Sequence, residues 1–151
     1  MHRRVLLPLV LAAFVGLTAC TPASDADTQL LSEQAEDYVG STGSGSGSLG
    51  AGSFSLSSRS VDGGRITLGE MHAAVTAVRA ICFGEGSASA SFELRGMDST
   101  VTNTFDVPCD SAEHDAVLGE PLRGVTEAEL GATWVSGSDL AVVVSVVGDQ
   151  E

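Results

Sequence analysis

The densest collection of chemically capable side chains in this sequence is Asp106, Asp110, Glu113, His114 and Asp115. Carboxylates in such a run supply the oxygen donors that Ca²⁺ takes in sets of six to eight. The spacing is not that of an EF-hand, and an acidic stretch following a strand is also what a solvated loop looks like. Asp106, Asp110, Glu113 and Asp115 are therefore candidate cation ligands, although the plainer reading is a solvated loop. His114 beside carboxylates is the one arrangement here that a small hydrolase would use. Neither it nor His72 is paired by the sequence with a nucleophile. There is no Gly-x-Ser-x-Gly elbow, and the serines fall in a linker and on wet strand faces. Glu127 and Glu129 share a strand face, but they alternate against the apolar set, and a glycosidase would add a sugar-stacking cleft. The sequence names no catalytic residue and no cofactor.

The three cysteines are Cys20, Cys82 and Cys109. His2, Arg3 and Arg4 give a positive start, and Val5 to Leu17 is apolar apart from Pro8 and Gly16. That run is shorter than the roughly 20 residues that span a bilayer and has the length of a secretory signal core. The twin arginines lack the fuller polar Tat pattern after them, which favours the general secretory route. Leu17-Thr18-Ala19-Cys20 closes the run and resembles the lipobox of bacterial lipoproteins. The resemblance implies cleavage before Cys20, a diacylglyceryl group on its sulfur, and an extracytoplasmic protein anchored to the cell membrane by lipid. Two acyl chains anchor stably where one holds only marginally. With Cys20 so assigned, Cys82 and Cys109 read as one disulfide of an exported chain. A metal pair and two free thiols are the alternatives, although zinc would want three or four nitrogen or sulfur ligands.

Charge narrows the partners. The whole chain carries a formal charge of -13, and all 20 acidic residues lie after Cys20 with only five of the seven basic ones, all Arg. The processed chain is more acidic still. Such a surface repels phosphate backbones and excludes nucleic acid as a partner. It also offers no polybasic support for membrane binding, so attachment falls to the diacylglyceryl group on Cys20.

Composition divides the chain into residues 1–19 as signal peptide, 20–52 as lipidated cysteine and flexible tether, and 53–151 as a folded domain. Thr28 to Tyr38 has the makings of a short acidic helix, with Leu30, Leu31, Ala35 and Tyr38 as a weak stripe. Gly40 to Ser48 has linker composition. Gly45-x-Gly47-x-x-Gly50 matches a dinucleotide fingerprint on paper only, with no strand before it and no helix after. Beyond Phe54 the pattern turns to strands. Ala88, Ala90, Phe92 and Leu94 alternate with polar residues, as do Val101 to Val107 and Ala128 to Trp134. Leu140 to Val147 has Val on both faces and predicts a central strand covered on both sides. Asp62-Gly63-Gly64 and Gly137-Ser138-Asp139 are turn signals. Met71 to Cys82 suits a helix by spacing. Its β-branched residues favour instead a hairpin in which Ala77 to Phe83 turns through Gly84-Glu85-Gly86 onto Ser87 to Arg95. Ala112 to Leu118 suggests a short helical turn. The sum predicts a mainly β domain, an antiparallel two-sheet β-sandwich of six to seven strands with one disulfide.

Cys82-Phe83-Gly84-Glu85-Gly86, followed by a strand and Val107-Pro108-Cys109-Asp110, resembles a pattern in small uncharacterised lipoproteins of high-GC Gram-positive bacteria. That resemblance implies a disulfide-linked β domain and brings no activity with it. The functional expectation is a lipid-anchored envelope protein with a non-catalytic binding or interaction domain. Its partner would be an envelope protein or polymer. A small hydrolase built on His114, or a carrier of a cation or small apolar ligand, stands as the alternative.

Overall fold

The alternation of apolar and hydroxyl side chains that fills the second half of the chain produces strands. The computed structural model describes residues 25–42 and 47–151, so the leader and Cys20 lie outside the described residues. One helix, α1 (Asp25–Thr42), precedes β1 (Ser48–Leu56), β2 (Asp62–Leu68), β3 (Ala73–Gly96), β4 (Thr100–Pro108) and β5 (Glu113–Gln150). They form one five-stranded sheet in the order β1-β5-β3-β4, with β2 also on β5. The partner numbers on β5 fall as those on β3 rise, from Ala73 opposite Gln150 to Leu94 opposite Ala128, so the central pair runs antiparallel. The β1–β5, β2–β5 and β3–β4 pairs are antiparallel as well. The fold is therefore mainly β and antiparallel, and it carries one disulfide, Cys82–Cys109.

Four local expectations are corrected, and two of them, the turns at Asp62-Gly63-Gly64 and Gly137-Ser138-Asp139, lie within β2 and β5. Gly84-Glu85-Gly86 does not reverse the chain; β3 continues through it from Ala73 to Gly96. Gly84 and Gly86 have φ of 114° and 139°, and Gly137, opposite Gly86, has φ of 102°. Both long strands bend together at this corner. A side chain at Gly86 would run into the Ser136 carbonyl, and one at Gly137 into that of Glu85, so the close approach needs glycine on both strands. The segment predicted as a helical turn, Ala112 to Leu118, instead enters β5 at Glu113 and pairs with β3 through Ile81, Arg79 and Ala77. Continuous bent strands also explain why five elements replace the six to seven short strands expected.

The bend brings the two halves of the sheet over a common core. Phe54, Leu56, Val78, Phe92, Leu130 and Val144 belong to one buried cluster that draws on β1, β3 and β5, with Ile66 and Leu68 of β2 packed against it. Gly50 and Gly52 let β2 come close, because a Cβ at Gly52 would meet the Ile66 side chain. Phe92 and Phe105 add an edge-on aromatic pair with centroids 6.4 Å apart.

Leu140 to Val146 is buried throughout, as its two-faced apolar pattern predicts. Leu140, Val142, Val144 and Val146 face the main core. Ala141 and Val143 face the other way and are covered by α1 through Ala35, with Leu31, Tyr38 and Val39 alongside. The residues assigned by composition to a tether thus include a helix docked on the sheet. The helical stripe is Leu31, Ala35 and Tyr38, at the i, i+4, i+7 spacing of one helix face; Leu30 lies off it and is exposed.

Candidate functional site

The fold separates Asp106 from the other acidic residues of this stretch. Asp106 sits exposed on β4, opposite Ser89. Asp110 follows the disulfide and accepts hydrogen bonds from the Ala112 amide at 2.9 Å and His114 Nε2 at 3.0 Å. Those two donors, the histidine foremost, hold the Asp110 carboxyl below its ordinary pKa. Glu113 points to α1 and accepts from the Tyr38 hydroxyl at 2.7 Å. Asp115 takes the fork of Arg79, with Nε at 2.7 Å and Nη2 at 2.9 Å. Arg79 also reaches Glu113 at 2.9 Å. The guanidinium keeps the Asp115 carboxyl below its usual range, and the same hydrogen bond raises Arg79. Burial, then the Glu113 hydrogen bond, pushes the Tyr38 hydroxyl up.

These side chains form a clamp between α1, β3 and β5. Among the described residues no group of three or more His, Cys, Asp or Glu side chains gathers as a metal site. His72 is exposed, and its carbonyl accepts the Glu151 amide. Glu127 and Glu129 lie on the outer face of β5 and pair with Arg95 and Arg65. The disulfide joins β3 to the residue after β4, and the Ser111 amide donates back to the Cys82 carbonyl.

A groove lies elsewhere in the fold. It has a volume of about 410 Å³ and is open, between the first half of α1, the end of β1 and the start of the Leu140 strand segment. Leu31, Leu56 and Ala141 give it an apolar floor, and Ser57, Ser58 and Ser138 bring hydroxyls to its wall. Thr28 Oγ1 donates to Asp139 Oδ2 at 3.0 Å across it, closing one side. Arg59 lines the other. Arg65, Arg79, Arg95 and Arg123 all have carboxylate partners. Among the described residues Arg59 makes no ion pair.

A floor of leucine and alanine with a rim of hydroxyls, the Arg59 guanidinium and the Asp139 carboxylate suits a ligand that has both an apolar part and a charged or hydroxylated part. No histidine lines it. Sequence reasoning missed this groove because its walls come from three distant stretches, one of them assigned to a tether. The only local signal was an arginine set in Ser57-Ser58-Arg59-Ser60 with no acid beside it.

Among the described residues no helix is long and apolar enough to cross a membrane. Comparison with known proteins finds no family model, no curated protein and no solved structure that matches the chain.

Proposed function

We propose that this chain is an extracytoplasmic lipoprotein, anchored through diacylglyceryl-Cys20, whose β domain works by binding an envelope partner rather than by catalysis. The observation that carries the reading is the Cys82–Cys109 disulfide. Structural disulfides belong to chains that mature in an oxidising compartment. The pairing also leaves Cys20, at the end of the lipobox-like run, as the remaining thiol. A binding role is supported by the open groove with its arginine and hydroxyl rim. His114, at the start of β5, is hydrogen-bonded through Nε2 to exposed Asp110, which offers the hydrolase reading nothing further.

The test is fractionation of cells that express the full chain, with and without globomycin, beside Cys20→Ser. The proposal expects the untreated protein in the membrane fraction. Globomycin should cause the uncleaved precursor to accumulate, and Cys20→Ser should abolish acylation. Unchanged processing and acylation in both would overturn it.

A further inference from the structure

The helix begins at Asp25, five residues beyond Cys20. Five extended residues reach at most about 18 Å. The helix does not add to that reach by swinging, because it is docked along its length. Ala35 is 3% exposed over Ile81, Ala141 and Val143. Thr28 holds Asp139 near one end, and Tyr38 holds Glu113 near the other. The Gly/Ser run lies after the helix, so it joins α1 to β1 and lends the anchor no length.

The groove therefore lies at the end of the domain where α1 begins. Thr28, on its wall, is three residues past Asp25. Trp134 stands beside the same rim, its indole Nε1 donating to the Ser138 carbonyl at 3.2 Å. Val61, whose carbonyl accepts the Trp134 amide, is 48% exposed, and Val135 is 50% exposed. Tryptophan with an apolar body and a polar handle favours the bilayer–water boundary. The acidic domain as a whole is repelled by anionic lipid, so a local cation must make the contact. Arg59 is placed for it, and a guanidinium presents a fork that matches a phosphate.

We propose that this groove faces the bilayer and that Arg59, with the serine hydroxyls beside it, receives the phosphate of a phospholipid headgroup. The proposal rests on the lipid anchor at Cys20. Anchoring makes headgroup contact intramolecular, at an effective concentration on the order of millimolar, so a weak site is occupied. The domain then rides on the membrane in one orientation.

The chain has one tryptophan, which makes Trp134 the probe. Coupling the Cys20 thiol to a maleimide phospholipid in vesicles of phosphatidylcholine and phosphatidylglycerol bypasses cellular acylation. Failure of the anchor reading, seen by mass spectrometry of the cellular protein, is thereby kept apart from failure of the orientation. With a nitroxide on the lipid headgroups, Trp134 fluorescence is expected to be quenched. Inserting about twenty Gly/Ser residues between Cys20 and Asp25 should relieve most of that quenching. Arg59→Glu should lower it with the longer reach absent, and Arg59→Lys should retain part of it. Circular dichroism of each variant checks that the fold is kept. Quenching that is absent, or indifferent both to the insertion and to Arg59→Glu, overturns the proposal. A Trp134 response of the uncoupled protein to inorganic phosphate that equals the vesicle response assigns the groove to a free anion and overturns the lipid assignment.

Discussion

The Thr28 hydroxyl donates to the Asp139 carboxylate at 3.0 Å, joining two residues 111 positions apart. This contact turns what composition describes as the start of a tether into part of the folded domain. It also ties the first turns of α1 to the start of the Leu140 segment of β5.

Removing the contact separates docking from folding. Thr28→Ala should cost about 1 kcal/mol of α1 docking, the usual value of one net hydrogen bond. Ala35→Glu should undock the helix, because it forces a carboxylate against Ile81, Ala141 and Val143 without a partner. Hydrogen exchange should show residues 25–42 losing protection in Ala35→Glu while β3 and β5 retain theirs. Equal loss across the whole chain would mean that helix and sheet form one cooperative unit.

The disulfide carries a large share of stability for a small domain. Its partners are 27 positions apart, and the chain-entropy model values a loop of that size at roughly 3–4 kcal/mol. Reduction, or Cys82→Ala with Cys109→Ala, should lower the unfolding free energy by about that amount, seen as a lower midpoint in chemical unfolding. A midpoint within experimental error of the oxidised protein would place the stability elsewhere.

Much of the strand content was legible because it is local. Ala88, Ala90, Phe92 and Leu94 read as one buried face, and all four are buried. The two-faced run Leu140 to Val146 announced a central strand, although not what covers it. The cover is α1, whose apolar stripe is too weak to stand out from an acidic, polar segment. Gly84-Glu85-Gly86 misled for a physical reason. Positive-φ glycines serve a reversal or a bend equally well, and the choice is made by Gly137 across the ladder, not by neighbours in sequence. Asp110 to Asp115 looked like one acidic site. Arg79, more than thirty residues away, ties Glu113 and Asp115 into one ion-pair cluster, while Asp110 pairs with His114.

The corner glycines make a sharp prediction. Gly86→Ala places a methyl against the Ser136 carbonyl at φ of 139°, a region that L side chains rarely occupy. Strain of this kind costs on the order of 1–3 kcal/mol before any clash is counted. Gly119→Ala is the control, since nothing lies within 4 Å of its would-be Cβ. Thermal melts should show a marked drop for Gly86→Ala and little change for Gly119→Ala. Equal melting temperatures would contradict the bend.

The Arg79 fork gives a pH dependence with a definite sign. Asp115 has a folded pKa below its ordinary value, as does Asp110. Each therefore contributes stability that is fully present above the unfolded carboxylate pKa of about 3.9. That contribution is lost as pH falls through the lower folded value. Asp115→Asn should destabilise at pH 7, and its deficit against the unmodified protein should shrink as pH drops below about 4. A deficit independent of pH down to acid unfolding would show that the fork contributes no charge-dependent stability.

One intact-mass measurement on unreduced, detergent-extracted protein tests whether the chain is held to the membrane by Cys20 and closed by Cys82–Cys109. The expected species starts at Cys20, heavier by a diacylglyceryl group and lighter by the two hydrogens of one disulfide. A chain that still carries the leader, or an unmodified Cys20 with two free thiols at Cys82 and Cys109, would contradict it.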